Sequence, residues 1–184
     1  GVTNDCGDPV EADVVINEFD ADQSGTDSAE FVELFDGGVG NTDLSGHVLV
    51  LFNGSDDASY LAFDLDGQST NGSGYFVLCG DATNTANCDL DVSPSTNLIQ
   101  NGSPDAVAIE FEENVIDTVS YEGSVAAPYV EGSGFGLEDN PGAGDASISR
   151  CEDGADSNDN NDDFRSSQPI TPGATNDCTI PESF

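Results

Sequence analysis

The stretch HVLVLFNGSDDASYLAFD, residues 47–64, contains two short apolar runs separated by a polar segment. The first run covers residues 47–53 and the second covers residues 60–64, and Gly, Ser and Asp lie between them. Each run has the length of a β-strand, and neither continues with the periodicity of an amphipathic helix. We therefore expect two β-strands here, bounded by turn-forming residues.

The same pattern recurs on both sides of this stretch. Further short apolar segments with turn signals at their ends cover residues 13–19, 30–35, 74–78, 106–111 and 115–121. The 21 glycines favour turns over long helices. This series of short strands predicts an all-β fold, an antiparallel β-sandwich. After residue 121 the chain becomes irregular, and Phe164 with the turn at residues 171–173 predicts a final ordered strand or cap.

Charge is the most unusual property of the chain. The chain has 37 acidic residues but only two arginines, Arg150 and Arg165, and it has no lysine. With the single histidine, His47, neutral, the formal net charge is −35. Such a charge makes the folded state repel itself, so bound divalent cations or concentrated salt must offset the repulsion. We expect no nucleic-acid partner because phosphate binding needs clustered Lys and Arg, and anionic membrane surfaces are disfavoured for the same reason.

The apolar clusters also bear on disorder and on membranes. They recur between turn signals, which favours a folded chain over a disordered acidic one. No apolar run approaches the roughly 18 residues that a membrane-spanning helix requires, so we expect no membrane insertion.

A short repeat marks the two ends of the chain. Residues 1–6, GVTNDC, match residues 173–178, GATNDC, at five of six positions. Either polar residues coincide by chance, or the copies mark the boundaries of tandem units about 172 residues long. On the second interpretation, residues 1–9 are an N-terminal segment that ends a preceding repeat. Residues 10–176 then form one β-sandwich domain, and residues 177–184 form a C-terminal tail or linker.

Five cysteines in so acidic a chain indicate an oxidising compartment, extracellular or at the cell surface. Cys79 and Cys88 flank a short polar loop after a strong strand, so we expect them to form a disulfide. Cys6 and Cys151 then form the second bond, and Cys178 belongs to the following unit. A bond between Cys6 and Cys178 is the alternative, and the sequence does not decide between the two.

The order of several short motifs resembles the lamin-tail domain family over about residues 13–176. The motifs are VINEF (15–19), DAD (20–22), GTD (25–27), EFVEL (30–34), DLSG (43–46), LIQNG (98–102), DAVA (105–108), VIDTVSY (115–121), SR (149–150), DG (153–154), NDN (158–160), DF (163–164) and TPGA (171–174). The resemblance implies an immunoglobulin-like β-sandwich from a family that is not an enzyme family. It also implies an accessory or surface module, which stands alone, in repeats, or attached to secreted nucleases and other hydrolases. The chain differs at His47, where bacterial members usually place Trp.

The best candidate for a calcium site is the acidic loop that follows the first predicted strand. Its oxygen-bearing side chains alternate around Gly25, and they belong to Asp20, Asp22, Ser24, Asp27 and Glu30. Calcium takes six to eight oxygen ligands from carboxylates, carbonyls and water. The start of the loop resembles an EF-hand, but Glu30 comes one place too early and no helices flank the loop. We therefore expect a calcium loop of another kind, with a solvated acidic connection as the alternative.

A second candidate calcium site lies in the acidic, Asn-rich loop at residues 152–163. The loop supplies Asp153, Asp156, Asn158, Asp159, Asn160, Asp162 and Asp163, and its ligand candidates are the first four of these. Their spacing is irregular, and Asn and Asp also form tight turns without a metal.

Catalytic signals are weak in this sequence. Glu18 and Glu33 lie in predicted strands, where we expect them on the outer face, or paired with Arg150 or with backbone amides. His47 occupies a structural position, and no Gly-x-Ser-x-Gly motif occurs. We expect a non-catalytic, calcium-stabilised surface module for adhesion or self-assembly, with other protein subunits, copies of itself among them, as partners. An accessory domain of a secreted nuclease or other hydrolase is the alternative.

Overall fold

The computed structural model describes residues 9–139 and 145–178 of the chain. The expected all-β sandwich is confirmed, because two sheets pack against each other and the helical part is a single short turn, α1 (Asn160–Asp163). The strands are β1 (Val15–Asp20), β2 (Phe31–Phe35), β3 (His47–Asn53), β4 (Ala58–Asp64), β5 (Tyr75–Cys79), β6 (Leu90–Asp91), β7 (Asp105–Phe111), β8 (Asn114–Tyr121), β9 (Ser147–Arg150) and β10 (Phe164–Ser167).

The strands form a six-stranded and a four-stranded sheet. The larger sheet has the order β10-β9-β1-β2-β5-β6 and the smaller has the order β4-β3-β7-β8. All neighbouring strands are antiparallel except β5 and β6, which are parallel. No helix in the described part of the chain is long and apolar enough to cross a membrane.

The hydrophobic core lies between the two sheets. The four-stranded sheet contributes Leu49 and Leu51 from β3 and Val107 and Ile109 from β7, which alternate along their strands and are fully buried. This alternation is the period-two pattern that places every second side chain on one face. The other sheet supplies the facing side chains, and these include Ile16, Val32, Leu34, Phe76, Leu78, Ile148 and Phe164.

The outer face of the six-stranded sheet is covered as well. Residues 168–178, here called the C-terminal strap, run across it, and Ile170 packs beside Phe31, Val77 and Cys79. Thr171 donates its backbone N–H to Glu18, and Asn176 donates its side-chain amide to the carbonyl of Asn17. The strap explains why β1, β2 and β5 are buried on both faces.

Two disulfides lie within the described residues. The predicted bond between Cys79 and Cys88 is confirmed. The predicted bond between Cys6 and Cys151 is wrong, because the strap returns Cys178 to the end of β9, where it bonds Cys151 with 5.3 Å between the two Cα atoms. The alternative pairing of Cys6 with Cys178 is wrong for the same reason, and Cys6 itself lies outside the described residues. Cys178 therefore belongs to the same folded unit as Cys151.

A buried ion pair joins the two sheets. Arg150 of β9 donates from Nη2 to both carboxylate oxygens of Asp117 of β8, at 3.0 and 3.1 Å, and both side chains are fully buried. The same two residues bind the backbone of Ile16, whose N–H donates to Asp117 at 2.6 Å and whose carbonyl accepts from Arg150 Nε at 2.7 Å. The Arg150 guanidinium also lies 4.4 Å from the centre of the Phe164 ring. The pair thus fixes β1, β8 and β9 relative to one another.

We expect Arg150→Met to lower the free energy of unfolding by about 3–5 kcal/mol, because it leaves the Asp117 carboxylate buried without its partner. Arg165→Met is the matched control. Arg165 is exposed, and among the described residues it donates to the carbonyls of Asn161 and Phe164, so its loss should cost less than about 1 kcal/mol. Urea denaturation of both variants measures the difference, and equal losses would contradict the structural role of Arg150.

We expect peptide mapping without reduction to recover a peptide that links Cys151 to Cys178, and another that links Cys79 to Cys88. An acid-specific protease is suitable because the chain has no lysine. A reduced sample is the control, in which both linked masses should disappear. Recovery of a peptide that links Cys6 to Cys151 would refute this pairing.

Candidate metal centre

Three carboxylates converge next to the buried ion pair. Asp117, Glu131 and Asp156 each place a carboxylate oxygen within 4.8 Å of the others, and within the described residues no other group of three acidic, Cys or His side chains does so. Asp117 comes from the middle of β8, Glu131 from the long connection between β8 and β9, and Asp156 from the loop before α1. Asp117 is buried, Glu131 is half-buried and Asp156 is exposed, so the group opens to solvent on the Asp156 side.

The electrostatics of this group leave negative charge in excess. Arg150 Nη1 lies 3.4 Å from Asp156 and 3.3 Å from a fourth carboxylate, Asp163. Burial, and then the charges of Asp117 and Asp156, raise the pKa of Glu131 to about 8. Its Oε2 atom is buried and has no hydrogen-bond partner. The Arg150 guanidinium is therefore shared by several carboxylates, and its single positive charge does not neutralise them all. A bound proton or a second cation would stabilise the group.

Carboxylate oxygens are the ligands that calcium prefers. Asp117, Glu131 and Asp156 would hold the ion and supply part of its six to eight ligands, and water would supply others from the solvent side. The donor set fits this ion because all three groups are hard oxygen donors.

Only one of the residues predicted for the second calcium site belongs to this group. Asp156 is a member, whereas Asp153 accepts hydrogen bonds from the Tyr75 hydroxyl at 2.6 Å and the Asn176 N–H at 3.0 Å. Asn158 adopts a positive φ of 58° and donates its N–H to Asp156. Asp159 caps α1 by accepting from the N–H of Asn161. Three of the four therefore hold the loop in shape.

The residues predicted for the first calcium loop are distributed among different partners. Asp20 accepts from the Gln23 side chain at 2.6 Å, and Asp27 accepts from the Gln23 backbone N–H at 3.0 Å. Glu30 accepts from two backbone N–H groups of the segment at residues 98–99. The backbone N–H of Ser24 donates to Asp145, and Asp22 is half-buried. Gln23, which the sequence did not single out, is the organising residue of this loop.

A second buried carboxylate pair lies beside that loop. Asp20 and Asp139 are 1% and 3% exposed. Burial, and then the charge of Asp139, raise the pKa of Asp20, and burial raises the pKa of Asp139 although the N–H groups of Ala21 and Asp22 donate to it. Asp139 Oδ1 is buried without a hydrogen-bond partner. Because the charge of Asp139 opposes ionisation of Asp20, the pair favours holding a proton or binding a cation.

The two strand glutamates have structural partners. Glu18 and Glu33 face each other across β1 and β2, and both lie beneath the strap, fully buried. Glu18 accepts from the N–H of Thr171, and Glu33 accepts from the N–H of Gly173 at 2.5 Å and from the side-chain amide of Asn17 at 2.8 Å. Burial nevertheless raises the pKa of Glu33 to about 8. The expectation of backbone amide partners is confirmed, while Arg150 bonds elsewhere.

His47 is also used structurally. It is fully buried, its Nδ1 lies 3.1 Å from the carbonyl of Leu44, and its Nε2 accepts from the N–H of Ala12 at 3.1 Å. This arrangement fits the neutral tautomer with its proton on Nδ1. The ring also packs 4.9 Å from Phe111, so the core keeps an aromatic contact at this position.

Comparison with known proteins assigns no relative. No protein-family model, no curated protein and no solved structure matches the chain. The resemblance to the lamin-tail domain therefore stays a prediction that rests on the order of the motifs.

Proposed function

We propose that this chain is a non-catalytic, extracellular structural module whose folded state is stabilised by calcium. The observation that carries the proposal is the convergence of Asp117, Glu131 and Asp156 beside a single guanidinium. At this group the negative charge of three carboxylates exceeds the positive charge of Arg150, and a cation can enter from solvent on the Asp156 side.

The charge of the whole chain supports a cation requirement. Glu18, Asp20, Glu33, Asp117 and Asp139 are at most 3% exposed, and the only guanidinium buried among them is that of Arg150. Buried carboxylates without cationic partners must take up protons or bind other cations. Extracellular modules bind calcium with dissociation constants of about 0.1–1 mM, so a site with few protein ligands suits that environment.

The proposal of a non-catalytic module is supported by the structural roles of His47, Glu18 and Glu33. Both ring nitrogens of His47 hold backbone groups, and Glu18 and Glu33 are covered by the strap. A general base must reach a substrate, and these three side chains are fully buried. The extracellular assignment is supported by the two intramolecular disulfides, which persist in oxidising compartments.

Adhesion or self-assembly with other protein subunits is supported by the edge of the four-stranded sheet. β4 is an edge strand of seven residues, and each of them is exposed or half-buried. An edge strand offers unpaired backbone N–H and C=O groups to a strand from another chain. Copies of this chain present the same edge and are candidate partners.

We expect calcium to raise the melting temperature at pH 8 relative to a chelator at fixed ionic strength. Binding to the native state alone adds about 2.7 kcal/mol when the free calcium is 100 times the dissociation constant. Glu131→Gln and Asp156→Asn should each reduce the calcium response, whereas Asp57→Asn, an exposed residue in the turn before β4, should keep it. Scanning calorimetry measures these shifts. If calcium still raises the melting temperature of both variants as much as that of the unchanged chain, these residues do not bind the ion.

We expect the chelated protein to lose stability as the pH rises from about 5 to 8. Glu33 and Glu131 have pKa values raised from 4.5 to about 8, so in this window the folded state binds protons that the unfolded state has released. This stabilisation is greatest below the unfolded pKa and is lost as the pH rises through the folded pKa, at an upper limit of about 1.4 kcal/mol per pH unit for the fully buried Glu33. The half-buried Glu131 acts in the same direction, and solvent screening makes its contribution smaller.

Urea denaturation at pH 5.5, 7 and 8.5 in chelator measures this slope. Glu33→Gln should flatten it because the amide does not titrate, and Asp57→Asn, exposed in the turn before β4, should leave it unchanged. Stability that rises steadily between pH 5.5 and 8.5 would show that the buried carboxylates are neutralised in another way.

A further inference from the structure

The end of the C-terminal strap repeats the sequence at the start of the chain. Residues 173–178 read GATNDC, and residues 1–6 read GVTNDC. The structure describes the copy at residues 173–178 and shows what each part of it contacts. The surface beneath this copy, here called the strap groove, is formed by Asn17, Glu33, Tyr75, Arg150 and Asp153.

Glycine is required at the first position of the copy. Gly173 has a φ of 79°, and its N–H donates to Glu33 at 2.5 Å. A Cβ atom added to Gly173 would lie 2.6 Å from the Cβ of Asn87, so a larger residue would clash and also adopt an unfavourable φ. Gly1 provides the same residue in the N-terminal copy.

Asparagine at the fourth position makes the most contacts with the groove. Asn176 Nδ2 donates to the carbonyls of Asn17 and Arg150 at 3.0 and 2.9 Å. The backbone N–H of Asn176 donates to Asp153 at 3.0 Å. Asn4 holds this position in the N-terminal copy.

The third and sixth positions add a hydroxyl contact and a covalent bond. Thr175 Oγ1 lies 3.2 Å from the Tyr75 hydroxyl. Cys178 forms its disulfide with Cys151. The N-terminal copy has threonine and cysteine at the same positions, residues 3 and 6.

The two copies differ only at the second position. Ala174 is exposed, and its backbone N–H donates to the carbonyl of Thr171 at 3.0 Å, a bond that does not depend on the side chain. Val2 replaces alanine there in the N-terminal copy. The positions that hold residues 173–178 in the groove are therefore identical in the two copies, as a shared binding role requires.

We propose that residues 1–6 are a second strap, which binds the strap groove of another sandwich of this type. In this molecule residues 173–178 already occupy the groove and Cys151, so residues 1–6 need a groove that is open. The partner is a second sandwich with the same groove, and Cys6 bonds its equivalent of Cys151. Units that share an identical closing element can exchange it in this way. The inference goes beyond the calcium-stabilised module and does not rest on it.

The covalent step needs an oxidant. The thiols of Cys6 and of the partner's cysteine each lose one hydrogen as the new S–S bond forms. A small disulfide such as oxidised glutathione accepts both hydrogens and becomes two thiols. The hydrogen bonds of the strap bring the two thiols together, so the bond forms faster than it does between cysteines that meet by collision.

The test mixes two full-length chains in a buffer of reduced and oxidised glutathione. The acceptor carries Cys6→Ser, Asn176→Ala and Cys178→Ser, which weaken its own strap and leave Cys151 as its cysteine outside the Cys79–Cys88 disulfide. The donor is the unchanged chain, in which Cys6 is the fifth cysteine beside the two disulfides. We expect mass spectrometry of unreduced peptides to find more donor Cys6 bonded to acceptor Cys151 than to a second Cys6.

Two donor variants separate docking from collision. Asn4→Ala should lower the yield of the mixed disulfide by about tenfold, because it removes the amide that bonds two groove carbonyls. Val2→Ala, the matched control, makes the two copies identical and should leave the yield unchanged. The proposal is overturned if Asn4→Ala donors cross-link as well as unchanged donors, or if Cys6 bonds only to Cys6.

A second measurement does not depend on the acceptor. Ala174→Val gives the strap of the unchanged chain the sequence of residues 1–6. We expect its melting temperature and its Cys151–Cys178 disulfide to be kept, because position 174 is exposed. A fall in melting temperature or loss of this disulfide would show that residues 1–6 do not fit the groove. All these variants keep Asp117, Glu131 and Asp156, so failure of this proposal is distinguishable from failure of the calcium proposal.

Discussion

The buried pair of Arg150 and Asp117 is the interaction on which the rest of this sandwich depends. The pair joins a strand of each sheet. It also takes the place of a neighbouring strand at Ile16, because the Ile16 N–H donates to Asp117 and the Ile16 carbonyl accepts from Arg150. β1 has an irregular register between Ile16 and Glu18, so its backbone cannot continue a regular ladder at that point. A buried ion pair gains little over apolar packing in free energy, but removing one partner is severe. Here it fixes how the two sheets are aligned.

Excess negative charge follows from this arrangement. The chain has only two arginines, and Arg150 is placed where several carboxylates meet. Elsewhere, buried carboxylates are satisfied by backbone N–H groups, as Glu30 and Glu33 are. Hydrogen bonds from neutral donors stabilise a carboxylate without cancelling its charge, so burial still raises the pKa values of both groups. The buried carboxylates therefore favour binding protons or cations from solvent, because the chain has too few basic side chains to neutralise them.

Local sequence signals predicted the strands well, and long-range partners poorly. The run at residues 47–53 matches β3, because an apolar run between turn residues is a local property. Asp117 is the one charged residue within its strand, and nothing local identified Arg150 as its partner. Glu131 carried no signal at all. The pairing of Cys151 was equally undetermined, since several pairings of five cysteines fit the same spacing.

The position of the closing elements in the chain has a consequence for biosynthesis. β9, α1, β10 and the strap all come from residues 147–178, yet they flank or cover β1, which lies near residue 15. A growing polypeptide therefore exposes one edge and one face of the larger sheet until these residues leave the ribosome. Glu18 and Glu33 lie on that face, so until the strap docks they are open to water and carry like charges, which disfavours contact between neighbouring copies.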